Sequence, residues 1–172
     1  MGIILWLFAL YSYADDTQVR AIVDFKPNLY LGKWYEIARI PFSFEKNCIA
    51  LVTAEYTMEG NNIAVKNSCN TNGNAMEVAT GMAYFNESTE IGKLKVTFVP
   101  SWLRFTHIGR ADYWIIYTDY DLSLVGSPNH KYLWILSRSE SPDPTKIKML
   151  LSIADSQGFE TTKLLFNYKG IN

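Results

Sequence analysis

The run Gly32-Lys33-Trp34-Tyr35-Glu36-Ile37-Ala38-Arg39 limits the folds open to this chain. It reads as extended and, with Ile40 just beyond it, carries large apolar groups at Trp34, Tyr35, Ile37 and Ile40. Successive side chains of a strand point to opposite faces. Trp34, Glu36, Ala38 and Ile40 therefore share one face, and Tyr35, Ile37 and Arg39 the other. Rings and branched chains on both faces need cover on both sides. A closed barrel with an element packed outside meets that need, and so does an inner sandwich strand; periodicity alone does not separate them.

The rest of the chain repeats the extended pattern. Segments 49–58, 63–68, 76–85, 93–99, 112–119, 122–125 and 132–138 are strand-like and are separated by turn sequences such as Glu59-Gly60-Asn61-Asn62 and Gly126-Ser127-Pro128-Asn129-His130. Leu94, Val96 and Phe98 alternate strictly with polar neighbours. The period then changes. Ser141-Pro142-Asp143-Pro144-Thr145 supplies a capping oxygen and first-turn prolines, Ile147, Leu150, Leu151 and Ala154 form an apolar stripe, and Gly158 ends the helix. A last short strand is expected over 163–168. Strands with regular turns and one late helix describe a sandwich or an up-and-down barrel.

At 172 residues one domain is the expectation, spanning 15–172. Sixteen basic residues against seventeen acidic ones leave a formal charge of -1, which offers no net pull on nucleic acid. Residues 1–14 read as a signal peptide. Leu5 to Leu10 is apolar but short of the roughly 20 residues of a membrane span, and Ser12-Tyr13-Ala14 suits a peptidase. Nothing before Arg20 is basic, so an uncleaved buried strand is the competing reading. No cysteine follows the apolar run to take a bacterial lipid anchor. The mature chain is expected outside the cytoplasm: periplasmic or outer-membrane-associated in a bacterium, secreted otherwise.

Cys48 opens one strand and Cys69 closes the next across the hairpin turn at 59–62, so folding at that turn brings them together. A disulfide there would close a loop of about 20 residues and stabilise by about 3 kcal/mol. Two buried thiols are the alternative.

Three strings carry a family likeness. Gly32-Lys33-Trp34-Tyr35 resembles the first lipocalin signature, Thr118-Asp119-Tyr120 the second, and Leu136-Ser137-Arg138 the third. The longer strings 32–39 and 132–139 are most similar to the bacterial lipocalin and apolipoprotein D branch. The resemblance implies an eight-stranded antiparallel barrel open at one end, with a C-terminal helix packed outside, a short final strand, and a small hydrophobic ligand within. It also implies structural roles at the closed end: Trp34 fills it, Arg138 stacks over the indole, and Asp119 organises a turn.

If Arg138 faces in, alternation puts Leu136, Trp134 and Tyr132 on the inner wall and Leu133 and Ile135 under the helix. The ligand wall is expected from Val52, Ala54, Tyr56, Val96, Phe98, Tyr113, Ile115, Tyr117, Trp134 and Leu136. Such a wall is apolar with a few phenolic hydroxyls and suits a chain-like lipid, a fatty acid or lysophospholipid, with one polar end. A barrel simply filled by these rings, acting as an interaction module, is the other reading. Glu36 suits either a polar ligand head or a hydrogen-bonded structural role.

No catalytic role is expected. No Gly-x-Ser-x-Gly, His-Glu-x-x-His, Cys-x-x-Cys or P-loop string occurs, and His107 and His130 sit in loops without a recognisable partner. A lipid-modifying enzyme is the weaker alternative. No cofactor or metal is expected. Counting strands puts Phe42, Phe44, Trp102, Leu103 and Phe105 together at the open rim, near Lys46 and Arg104. Rings beside cations there suit either peripheral membrane contact or a lid folded over the ligand.

Overall fold

The computed structural model describes residues 18–43, 48–71 and 75–167. The leader segment 1–14 and Phe44 lie outside the described residues. A short helix α1 (Pro27–Tyr30) leads into strand β1 (Gly32–Arg39). A meander follows: β2 (Cys48–Glu59), β3 (Asn62–Thr71), β4 (Met76–Phe85), β5 (Lys93–Thr97), β6 (Ala111–Thr118), β7 (Leu122–Gly126) and β8 (Leu133–Ser137). A 3-10 turn, Ser101–Thr106, interrupts the β5–β6 connection. Each strand pairs antiparallel with the next, and β1 pairs with both β2 and β8, which closes the barrel. Helix α2 (Pro144–Ser156) and the two-residue β9 (Leu165–Phe166) complete the chain, β9 lying outside the eight.

The helix begins where the sequence indicates. Asp143 Oδ1 accepts the Thr145 backbone N–H at 2.8 Å, and Pro144 occupies a first-turn position whose missing donor costs nothing. Its stripe of Ile147, Leu150 and Ala154 is buried against Ile37, Leu124, Leu133 and Ile135 on the outside of the barrel. A second core fills the lower interior with Phe25, Tyr30, Trp34, Ile63, Leu94, Ile115, Val125 and Leu136. The two faces of β8 divide between these cores as alternation requires. Cys48 and Cys69 are joined by a disulfide, with Cα atoms 5.4 Å apart and a sequence separation of 21.

Besides register shifts between β2 and β3 near Ala50, bulges on β1 and β6 break the alternation. The β1–β8 register shifts between Glu36 and Ala38, so Ile37 and Ala38 both face the outer core. Arg39, opposite the inward Trp134, therefore turns inside rather than sharing a face with Ile37. On β6 the register shifts between Ile115 and Tyr117. Tyr117, expected on the ligand wall, consequently packs with Ile116 in the outer core beneath the helix side.

Candidate functional site

The closed end is built on Trp34, which is fully buried and donates from Nε1 to the Tyr30 carbonyl at 2.8 Å. Arg138 lies across the indole, its guanidinium carbon 3.9 Å from the ring centroid. The same group donates to the carbonyls of Tyr120, Lys33, Leu29 and Leu31 at 2.7–3.2 Å. One cation thus ties β1, the α1 turn and the β6–β7 turn together, and its stacking contributes about 1–2 kcal/mol. Gly32 completes the arrangement. Its φ of +93° disfavours any other residue, and a β-carbon there would sit 3.4 Å from Arg138 Nη1.

Asp119 holds the neighbouring turn by accepting from the backbone N–H groups of Asp121 and Leu122 at 3.0 and 2.6 Å. Partial burial pushes its carboxyl up, but these two donors and the Lys146 ammonium outweigh that and hold it below the usual carboxylate range.

Above this base the inner wall changes character. Tyr113 and Trp134 face inward and stay partly accessible. Tyr132 stacks on Trp134 with centroids 5.7 Å apart, and Tyr113 lies 6.2 Å from Trp134. The facing wall is small. Gly81 and Ala83 of β4 stand opposite the inward Val65 and Ile63. The Phe98 ring covers Gly81 so closely that a β-carbon there would come 2.8 Å from Phe98 Cδ1. Val52, Ala54 and Tyr56 are buried, Val96 packs on the inner core, and Phe98 remains 43% exposed. Ile115 and Leu136 belong to the filled base rather than to the accessible wall.

Polar groups cross this interior. Tyr56 and Tyr113 hydroxyls are 2.8 Å apart, Tyr113 and Tyr30 3.2 Å, and Tyr30 and Ser123 3.1 Å. Burial raises the Tyr30 phenol to about 12 and pushes Tyr113 well above its ordinary value. Nearer the mouth, Arg39 Nη1 donates to Glu36 Oε1 at 2.5 Å, and Asn167 Nδ2 donates to the same oxygen at 2.7 Å. Arg39 Nη2 also reaches the Cys48 carbonyl at 3.4 Å. Asn167 can do this because β2 leaves β1 after Tyr35, and β9 takes that edge beside Ala38 and Arg39.

Sequence reasoning found Glu36 but missed Arg39, Tyr30 and Phe25. A bulge carries no reliable residue signature, whereas Pro27 followed by Tyr30 was an available signal for a short helical plug.

The rim divides. Phe42 turns inward and meets Tyr132 and Trp134 edge-on at 5.4 and 5.5 Å, as a lid does. Trp102 and Phe105 instead stand 69% and 79% exposed, with Ile108 beside them at 67% and Leu103 partly covered.

A closed eight-stranded barrel, plugged at one end by a tryptophan–arginine stack and accessible at the other, defines a class of cup-shaped binding proteins. The lipocalin-like domain model matches residues 24–169, and the chain belongs to the lipocalin family. It is 31% identical over 150 residues to the outer membrane lipoprotein Blc of Vibrio cholerae, covering 86% of this chain and 85% of that protein. It is 36% identical over 151 residues to mouse apolipoprotein D, covering 82% and 75%. Insecticyanin from the tobacco hornworm Manduca sexta superposes with a TM-score of 0.68 at 24% identity, over 87% of this chain and 83% of that one. Lipocalins generally bind small hydrophobic ligands and are generally not enzymes.

Proposed function

We propose that this lipocalin binds and carries a single-chain lipid of the fatty-acid or lysophospholipid type, without catalysis. The tail lies in the open half of the barrel and the polar head points toward the mouth. One observation carries the reading: the inward rings of Tyr113 and Trp134 stay reachable above a base that Phe25, Tyr30 and Trp34 fill completely. An apolar wall with few polar groups suits a flexible chain. The relatives named outer membrane lipoprotein and apolipoprotein D are in keeping with a lipid ligand and with export. The exposed Trp102, Phe105 and Ile108 support brief contact with a membrane surface during loading or release. No helix among the described residues is long and apolar enough to cross a bilayer.

Titration with hexadecanoate, oleate and lysophosphatidylcholine tests the reading. Trp134 lies in the proposed site, so intrinsic fluorescence is expected to respond and the melting temperature to rise with at least one of them. No fluorescence change and no thermal shift with any would overturn it.

A further inference from the structure

Strand β4 loses its β5 neighbour halfway along. The β4–β5 ladder runs only from Phe85 opposite Leu94 to Met82 opposite Thr97, whereas β3 follows β4 as far as Met76. The same register continued would set Val99 against Thr80 and Leu103 against Met76. Both spend their backbone groups elsewhere. Val99 N–H reaches Thr97 Oγ1 and its carbonyl accepts from Arg104 Nε. Leu103 donates to the Pro100 carbonyl, and its own carbonyl accepts from Thr106 Oγ1. Bonds from Asn86 to Lys93 on the β5 side and from Thr71 to Ala75 on the β3 side fix which residues address which neighbour. Met76, Val78 and Thr80 aim their N–H and carbonyl groups at the vacant side. Among the described residues none of these backbone groups has a partner. The whole stretch 76–80 is exposed, Met76 at 69% and Val78 at 50%.

We propose that this edge pairs with the same edge of a second copy, giving an antiparallel β4–β4 dimer about a two-fold axis at Val78. The edge is complementary to itself. With the axis at Val78, Val78 meets the partner's Val78, and Met76 meets the partner's Thr80 in both directions. Each of the three edge residues then exchanges both of its hydrogen bonds. An axis at Glu77 or Ala79 would leave one of the three without a partner, and at Glu77 it would set two carboxylates face to face. About Val78, Glu77 stands opposite the partner's Ala79 instead. Alternation from the inward Ala83 puts Met76 and Val78 on the outer face, where the two copies cover each other's apolar surface. The dimer does not depend on which ligand the barrel holds.

Sedimentation velocity between about 5 and 500 µM tests this, with self-association expected at a Kd on the order of tens of micromolar. Val78→Pro removes the central edge donor without touching the β3 ladder, which uses the alternate residues, and is expected to be folded and monomeric. A wild type that stays monomeric throughout, or a dimer that survives in a folded Val78→Pro, would overturn the proposal. Should that variant not fold, cysteine cross-linking decides. Val78→Cys is expected to form an intermolecular disulfide severalfold faster than Thr80→Cys, which faces the partner's Met76; equal rates would overturn it. Hydrogen exchange identifies any other occupant of the edge. Protection of the Val78 and Thr80 amides that rises with protein concentration supports the dimer. Protection independent of concentration would mean that another segment of the same chain covers the edge, and would overturn it too.

Discussion

Arg39 and Glu36 form an ion pair inside the barrel although they stand three positions apart on one strand, where alternation would put them on opposite faces. The bulge at Ile37 makes the pair possible, and Asn167 closes it from the far end of the chain. Both side chains are at most 5% exposed, so neither charge is solvated.

Removing one partner leaves the other buried and uncompensated. Arg39→Met is expected to lower stability by about 3 kcal/mol or more in urea unfolding. The double variant Arg39→Met, Glu36→Gln should recover most of that loss. Single and double variants of equal stability would show that the pair is not desolvated as described.

The two inward tryptophans should separate stability from binding. Trp34→Ala removes a fully buried ring and the surface on which Arg138 stacks, so a loss of about 3–5 kcal/mol is expected with little change in lipid affinity well below the melting point. Trp134→Ala should show the reverse emphasis, weakening hexadecanoate binding more than the fold. A stable Trp34→Ala variant that binds no lipid would put the site at the wrong end of the barrel.

The buried phenols predict alkaline behaviour. Tyr30 is raised from an ordinary 10.0 to about 12, so the folded state prefers the neutral phenol. That contribution is fully present below pH 10 and is lost as pH rises toward 12, because the unfolded chain gives up the proton first. Denaturation midpoints measured at pH 9, 10.5 and 11.5 should fall more steeply in the wild type than in Tyr30→Phe. Parallel slopes would contradict the burial assigned to this ring.

The connector that carries Trp102 and Phe105 should matter for membranes and not for the pocket. Replacing Trp102, Leu103 and Phe105 with serine is expected to reduce co-sedimentation with liposomes severalfold while leaving affinity for a soluble lipid nearly intact. Unchanged sedimentation with weakened affinity would make these residues part of the lid that Phe42 already forms.

Much of this architecture is legible in the chain. Alternation places Trp134 and Leu136 inside and Leu133 and Ile135 beneath the helix, and the turn at 59–62 aligns the two cysteines. The pattern misleads where one extra residue enters a strand. It puts Tyr117 on the inner wall and Arg39 outside, and both are reversed by bulges set by pairing with the neighbouring strand. The plug was only half hidden: Pro27 ahead of Tyr30 signals a short helix, but the packing of Phe25 and Tyr30 arises only once the barrel above α1 has closed. Phe42 shows the limit for loops: strand counting gave its end of the barrel, and ring packing decided that it points inward.

The central claim is that the open half of the barrel holds a single-chain lipid. Native mass spectrometry of protein purified from its host without detergent tests it most directly. A population heavier than the bare chain by the mass of one lipid is expected, lost on delipidation and diminished in Trp134→Ala. A single bare species that takes up no lipid on incubation, from a preparation with its melting transition intact, would contradict it.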